Sequence, residues 1–175
     1  MKNLLLFFIA FTFLTSCQKD VSGTYKSLRP HKVFDEELIS IDGNKVTMSF
    51  HGSAHESFKD TEKGRFYSVT CTFPFVIEYQ GELSKEGDKY TARILNRNVY
   101  IDEEEFKISA WYETKLTKDS LIHYYIDYIL NTVDEGLDSK RENSDFVGTQ
   151  FVIQENKLIL VGGNEIDDYY IKIVE

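Results

Sequence analysis

Apolar and polar residues alternate along most of this 175-residue chain, from Gly23 to the C-terminus. A period of two places successive side chains on opposite faces of a strand, and β-branched and aromatic residues supply most of the apolar positions. Short polar segments separate the alternating runs, and "DGNK" at 42–45 contains Asp-Gly, a strong hairpin signal. The pattern therefore predicts antiparallel strands joined by tight turns.

The alternating runs predict an all-β domain of about eight to ten strands over residues 23–175. Closure into an antiparallel up-and-down barrel would remove the exposed edges of such a meander, and a two-sheet β-sandwich is the alternative. Residues 121–130, "LIHYYIDYIL", fit a strand or a helix by spacing, and their aromatic and β-branched content favours a strand.

A short apolar segment precedes this domain. Lys2 is followed by "LLLFFIAFTFL" at 4–14, which is shorter than the roughly 20 residues that cross a bilayer. A positive charge, a short apolar core and small residues predict a secretory signal peptide, residues 1–16, which is removed from the mature protein.

The segment Leu14-Thr15-Ser16-Cys17 resembles the lipobox of bacterial lipoproteins, an aliphatic residue and two small residues before an obligatory cysteine. The resemblance implies cleavage before Cys17, acylation of this cysteine by fatty acids such as palmitate, and a lipidated tether over residues 17–22. Gln18 is not the aspartate that marks inner-membrane retention in many such proteins. The expected location is the cell outer membrane, facing the periplasm or the cell surface.

The opening strand, "VSGTYKSL" at 21–28, resembles the Gly-x-Trp strand of lipocalin-like domains, with Tyr25 in place of the tryptophan. The resemblance implies a barrel in which Gly23 permits a bend at the floor and the ring at position 25 closes it. It also implies that a small apolar or amphipathic ligand binds inside, although the sequence identifies no ligand-binding residue. The alternative is a non-enzymatic interaction or structural subunit of a cell-envelope complex, with a filled core.

The charge balance excludes some partners. The chain has 29 acidic and 20 basic residues, a net charge of −9, which argues against nucleic acid and against electrostatic adhesion to anionic lipid. It contains no G-x-S-x-G, phosphate-loop or His-Glu-x-x-His motif. We therefore expect no enzymatic activity and no cofactor, and membrane attachment through lipid alone.

Cys71 is predicted to be a buried small hydrophobe. If Cys17 is acylated, Cys71 has no intramolecular disulfide partner. It lies in "YSVTCTF" at 67–73, where alternation places it on one face with Val69 and Phe73.

Three polar segments contain residue types that bind metals. His51 and His55 are four apart in "HGSAH", but Gly52 and Ser53 favour a loop with two solvated histidines. Neither the acidic run 102–105 nor the predicted loop 131–148 has EF-hand spacing, so both predict solvated connections and no metal site. The acidic residues of that loop are Asp134, Glu135, Asp138, Glu142 and Asp145.

Tyrosines concentrate in the C-terminal half of the chain. Where they alternate with other residues, some rings must face outward, and these rings together with Trp111 could contact a protein partner or a sugar. Ordinary sheet packing is the other interpretation. The tyrosines concerned are Tyr112, Tyr124, Tyr125, Tyr128, Tyr169 and Tyr170.

Replacing Cys17 with Ser should release the protein from the membrane fraction, because the acyl chains have no other attachment atom. We expect the wild-type protein to partition into the detergent phase of Triton X-114 and Cys17→Ser to remain in the aqueous phase. A wild-type mature protein that still carries residues 1–16 by mass spectrometry would contradict the lipobox interpretation.

Overall fold

The computed structural model describes residues 21–62, 65–110, 116–141, 149–161 and 169–173. These residues form a β-sheet protein with one helix. Its elements are β1 (Gly23–Ser27), β2 (Glu36–Asp42), β3 (Lys45–Glu62), β4 (Arg65–Glu86), β5 (Lys89–Ile101), β6 (Lys107–Ala110), α1 (Lys118–Arg141), β7 (Thr149–Gln154), β8 (Lys157–Leu160) and β9 (Tyr169–Lys172).

Eight of the strands form a closed antiparallel barrel. The ring runs from β1 through β2, β3, β4 and β5, continues through β7, β8 and β9, and closes because β9 pairs with β1. Closure gives every strand in the ring a neighbouring strand on each side, whereas an open sheet would leave two edge strands. The predicted all-β barrel is confirmed, and the chain does not form the alternative two-sheet sandwich.

The chain leaves the barrel between β5 and β7. β6 pairs outside the ring with residues 69–72 of β4, and α1 follows it. The prediction of a strand at 121–130 is therefore wrong, and so is the predicted loop over 131–141, because both segments are helical; residues 142–148 lie outside the described residues. Among the described residues, no helix is long and apolar enough to cross a membrane.

The first residues of α1 are stabilised by side-chain hydrogen bonds to the backbone. Thr117 Oγ1 accepts a hydrogen bond from the N–H of Ser120 at 3.2 Å, and Ser120 Oγ accepts one from the N–H of Thr117 at 3.1 Å. This reciprocal pair satisfies two backbone donors, as in a capping box. Asp119 adds negative charge to the first turn, where the helix dipole favours it. The polar segment "TKDS" at 117–120 therefore begins a helix.

Odd-numbered residues of β4 supply two separate cores. Tyr79 and Leu83 pack against the core of the barrel. Val69, Cys71 and Phe73 are fully buried in a second cluster, which includes the inner face of α1. β3 and β4 therefore continue past the barrel and form, with β6, a small sheet covered by α1. We call this part of the protein the extension.

Pro74 lies where β4 exchanges one partner for another. On that edge β4 pairs with β6 up to Thr72 and with β5 from Phe75 onward. The carbonyl oxygen of Pro74 accepts a hydrogen bond from the N–H of Asp102 at 3.2 Å, so the proline nitrogen faces the same gap between β5 and β6. The missing N–H therefore leaves no hydrogen bond of the sheet unmade, and Pro74 marks a change of partner within a continuous strand.

Gly81 lies opposite an irregularity in β5. The register of β4 and β5 shifts between Gln80 and Gly81, because Leu95 is an extra residue in β5. A Cβ atom on Gly81 would lie 2.2 Å from the carbonyl oxygen of Arg93, a backbone atom that cannot rotate away. The strand therefore requires glycine at this position.

We expect Gly81→Ala to lower the free energy of unfolding by about 1–3 kcal/mol, because the new methyl group forces the backbones of β4 and β5 apart. Urea denaturation would measure the change. Ser84→Ala, at an exposed position of the same strand, is the control and should change stability by less than about 0.5 kcal/mol. Equal effects of the two substitutions would contradict the close approach.

Candidate functional site

The interior of the barrel contains side chains of the protein itself. Phe151 and Leu158 are fully buried, Tyr25 is 1% exposed, and the rings of Tyr90 and Phe151 stack with centroids 5.8 Å apart. The side chains described in the barrel interior therefore fill it with apolar groups from several strands. The buried members of this cluster are Tyr25, Ile39, Ile41, Val46, Met48, Tyr90, Ala92, Phe151, Leu158 and Tyr170.

A buried carboxylate attaches the segment 28–35 to one end of the barrel. Glu37 accepts hydrogen bonds from the hydroxyl of Tyr170 at 2.9 Å and from the N–H of His31 at 2.6 Å. Phe34 of the same segment packs on Phe50, whose ring lies 5.3 Å away between centroids. Because a buried carboxylate is stable only when it has hydrogen-bond donors, Glu37 fixes this connection over the barrel end.

The second cluster contains Cys71, as the alternation predicted. Cys71 is a free, fully buried cysteine, and it forms a hydrogen bond with Tyr125 of α1. Phe73 packs on the rings of Phe106 and Tyr125 at 5.0 and 4.7 Å between centroids. Burial raises the pKa of the Cys71 thiol. The pKa of the Tyr125 hydroxyl is also raised, mainly by burial and to a smaller extent by the nearby thiol of Cys71. Both groups stay neutral, so this cluster is structural.

His51 and His55 lie on β3, which corrects the prediction that they lie in a loop. Four residues along a strand span about 13 Å, whereas zinc–nitrogen bonds are about 2 Å long, so the two rings cannot bind one metal ion. The ring nitrogen Nδ1 of His55 forms a hydrogen bond with the hydroxyl of Thr72 at 2.9 Å. Among the described residues, no group of three potential ligands is placed to hold a metal.

The acidic run 102–105 forms the turn between β5 and β6. Oδ1 of Asp102 accepts hydrogen bonds from the N–H groups of Glu104 at 2.9 Å and Glu105 at 3.2 Å, and the ammonium of Lys118 donates to the carbonyl oxygen of Glu103. Asp134, Glu135 and Asp138 belong to α1, while Glu142 and Asp145 lie outside the described residues. The acidic residues are therefore distributed over different elements.

A groove of about 470 Å³ lies on the outer wall, where the barrel meets the extension. We call it the junction groove. Its floor is Pro74 and Val76 of β4, with β3 on one side and β5 on the other. The register aligns His51, Val76 and Tyr100 across the three strands. The complete lining is Asp35, His51, Gly52, Ser53, Pro74, Phe75, Val76, Tyr100, Ile101 and Asp102.

The junction groove combines an apolar floor with polar sides. The ring of Tyr100 is 51% exposed, and the carboxylates of Asp35 and Asp102 come from opposite sides. Strands next to each other are about 4.8 Å apart, so β3 and β5 are about 10 Å apart across the floor. Concave surfaces with a few fixed polar groups among apolar ones are typical of small-molecule sites, and this groove is our candidate functional site.

The groove brings together two residues that the sequence singled out for other reasons, His51 and Asp102. Sequence reasoning did not identify Asp35, Ser53 or Tyr100 as site residues. The alternation of residues along β5 could have identified Tyr100. Val99 and Ile101 point inward, so the aromatic residue between them points outward, next to an acidic turn. No sequence signal connects Asp35 with this position, because the pairing of β2 and β3 brings it there.

A second groove, of about 520 Å³, lies on the outer wall formed by β1, β2 and β3. Hydroxyl groups from Thr24, Ser40 and Thr47 line it, together with the opposite charges of Asp42 and Lys45. It has no aromatic ring, and its two charges compensate each other. The second groove is therefore the poorer candidate.

Two of the tyrosines in the C-terminal half form an exposed pair on α1. Tyr124 and Tyr128 are 54% and 51% exposed, and their rings stack with centroids 6.2 Å apart. Tyr125 and Tyr170 are buried instead, and Trp111 and Tyr112 lie outside the described residues. The pair results from the four-residue spacing of a helix, which places both rings on one face.

Comparisons with protein-family models, with curated proteins and with solved structures found no match to this chain. The candidate site is therefore defined by its own geometry and chemistry.

We expect the protein to lose stability as the pH rises above about 9, which is the ordinary pKa of a cysteine thiol such as that of Cys71. Because the pKa values of Cys71 and Tyr125 are higher in the folded protein than in the unfolded chain, rising pH ionises these groups in the unfolded chain first. Alkali therefore stabilises the unfolded chain relative to the folded protein. Tyr125→Phe should make the melting temperature fall less steeply between about pH 9 and 11, and it should cost about 1 kcal/mol at pH 7 through the lost hydrogen bond. Tyr124→Phe is the exposed control; the same alkaline slope for wild type and Tyr125→Phe would refute this assignment.

Proposed function

We propose that this protein is a lipid-anchored, non-enzymatic binding protein of the bacterial cell envelope that takes its ligand in the junction groove on its outer wall. Acylation of Cys17 would supply the membrane attachment, as expected from Leu14-Thr15-Ser16-Cys17. The groove would supply the recognition.

One observation favours the outer wall over the interior as the binding site. The ten buried side chains of the barrel core occupy the space in which a lipocalin-like barrel would hold an apolar ligand. The junction groove is open to solvent and presents the half-exposed ring of Tyr100. A ligand can enter it without displacing packed side chains.

The short tether supports an orientation in which this groove faces the aqueous phase. Val21 packs against the barrel core, and its carbonyl oxygen accepts a hydrogen bond from the Tyr25 hydroxyl at 2.8 Å. Four residues from Cys17 to Val21 reach about 14 Å at most, so the Gly23 end of β1 would stay near the membrane. Through β2, Gly23 aligns with Val46, and His51 is about 17 Å further along β3, away from the anchor.

A fluorescent apolar probe tests whether ligands bind inside. We expect the wild-type protein to show no saturable binding of 1-N-phenylnaphthylamine. Phe151→Ala should bind it, because removal of a buried ring leaves an apolar cavity, at a cost of about 3–5 kcal/mol in stability. Stoichiometric micromolar binding by the wild type would contradict the proposal and favour the ligand-carrying barrel.

A fragment titration monitored by amide NMR tests the groove itself. Small amines, amino acids and saccharides are added one at a time to the 15N-labelled protein, and at least one of these classes should shift resonances of residues at the groove floor such as Val76. Shifts confined to the barrel interior or to α1 would contradict the proposal.

An interaction subunit of an envelope complex is the second candidate function, and the stacked pair Tyr124 and Tyr128 favours it. Exposed tyrosines are enriched where proteins bind one another. A photo-crosslinking amino acid at position 128, with one at position 100 for comparison, separates the candidates in intact cells. A discrete protein adduct from position 128 alone would favour the subunit, and its absence would favour the groove.

A further inference from the structure

The charge of the junction groove is not compensated from within its lining. The lining includes the carboxylates of Asp35 and Asp102 and contains no lysine or arginine. Beside the groove, Glu36 forms an ion pair with Lys26, whose hydrogen bond lowers the pKa of Glu36. Among the described residues, Asp35 and Asp102 form no such pair with a basic side chain. A groove lined by one sign of charge attracts ligands of the opposite sign.

Both carboxylates are held in place before any ligand arrives. Asp102 accepts the two backbone N–H groups of its own turn, and Oδ2 of Asp35 accepts a hydrogen bond from the Ser53 hydroxyl at 3.1 Å. The remaining carboxylate lone pairs can accept hydrogen bonds from a ligand. Groups already ordered in the free protein lose little conformational entropy on binding.

The other groups of the groove suit an alkyl cation. The ring of Tyr100 is exposed at one side, and an aromatic face attracts an ammonium group placed over it. Pro74 and Val76 form a floor that can contact methyl or methylene groups. The volume of about 470 Å³ is at the small end of the range for ligand sites, which matches a small molecule.

We infer that the junction groove binds a small organic cation, an ammonium group on a short alkyl skeleton. The ammonium group contacts the Tyr100 ring and a carboxylate of Asp35 or Asp102, and the alkyl part lies on Pro74 and Val76. This inference rests on the proposed function, because it specifies the ligand class of the same groove.

Tetramethylammonium and 1,4-diaminobutane are the cationic probes. The neutral controls are tert-butanol, which resembles tetramethylammonium in shape, and glucose, which is polar and uncharged. Amide NMR of the full mature domain should show saturable shifts at Val76 and Tyr100 with both cations and none with either neutral molecule. Raising the salt from 50 to 500 mM should weaken the binding, because salt screens the attraction.

Substitutions identify the groups that hold the cation. Asp35→Asn and Asp102→Asn keep an oxygen that can accept the Ser53 or turn hydrogen bonds, and each should weaken tetramethylammonium binding about two- to fivefold. Tyr100→Ala should weaken it by a similar factor. Tyr128→Ala removes an equally exposed ring from α1, and Glu82→Gln removes a carboxylate from the other end of the outer wall; neither should change the affinity.

The outcomes separate this inference from the proposed function. If glucose or tert-butanol shifts the groove resonances as strongly as the cations do, or if both asparagine variants bind tetramethylammonium like the wild type, the ligand class is wrong while the groove remains the binding site. If no probe shifts the groove and the apolar fluorophore binds inside the barrel, both are wrong.

Discussion

The inward row of apolar side chains on β4 holds this structure together. The strand runs from Arg65 to Glu86, and its odd-numbered apolar residues from Val69 to Leu83 face inward in both halves of the molecule. In one half the opposite wall of the barrel covers them, and in the other half α1 covers them. Because a strand cannot slip by one residue without turning this row outward, the registers of β3, β5 and β6 against β4 are fixed together.

The junction groove is a consequence of the same strand. Where β4 passes from one core to the other, its partner changes from β6 to β5 at Pro74, and the turn of Asp102 closes the gap. On the opposite side, Gly52 leaves room for the segment that carries Asp35: a Cβ atom there would lie 2.9 Å from both the Val33 carbonyl oxygen and the Phe75 ring. The groove therefore exists because two cores meet, and its outward-facing side chains, such as Val76 and Tyr100, belong to neither core.

Burial and hydrogen bonding divide the reactive groups of the protein into two sets. Glu37 and Cys71 are buried and satisfied by Tyr170 and Tyr125 respectively, so their chemistry serves stability. Asp35 and Asp102 are exposed, and the hydrogen bonds from Ser53 and from the turn 102–105 engage one oxygen of each carboxylate. The second set has the capacity to bind something else, which is why the candidate site is on the outer wall.

The sequence by itself determined the all-β class, the hairpin turn at 42–45 and the burial of Cys71, because period-two alternation and turn chemistry are local properties. It also contains the lipobox resemblance, which is read from four consecutive residues. Only the tertiary structure decided that 118–141 form a helix: the surface that buries Leu121, Ile122 and Tyr125 is formed by β4, far earlier in the chain. The same holds for the groove, since Asp35, Tyr100 and Asp102 come together through strand pairings that no local pattern encodes.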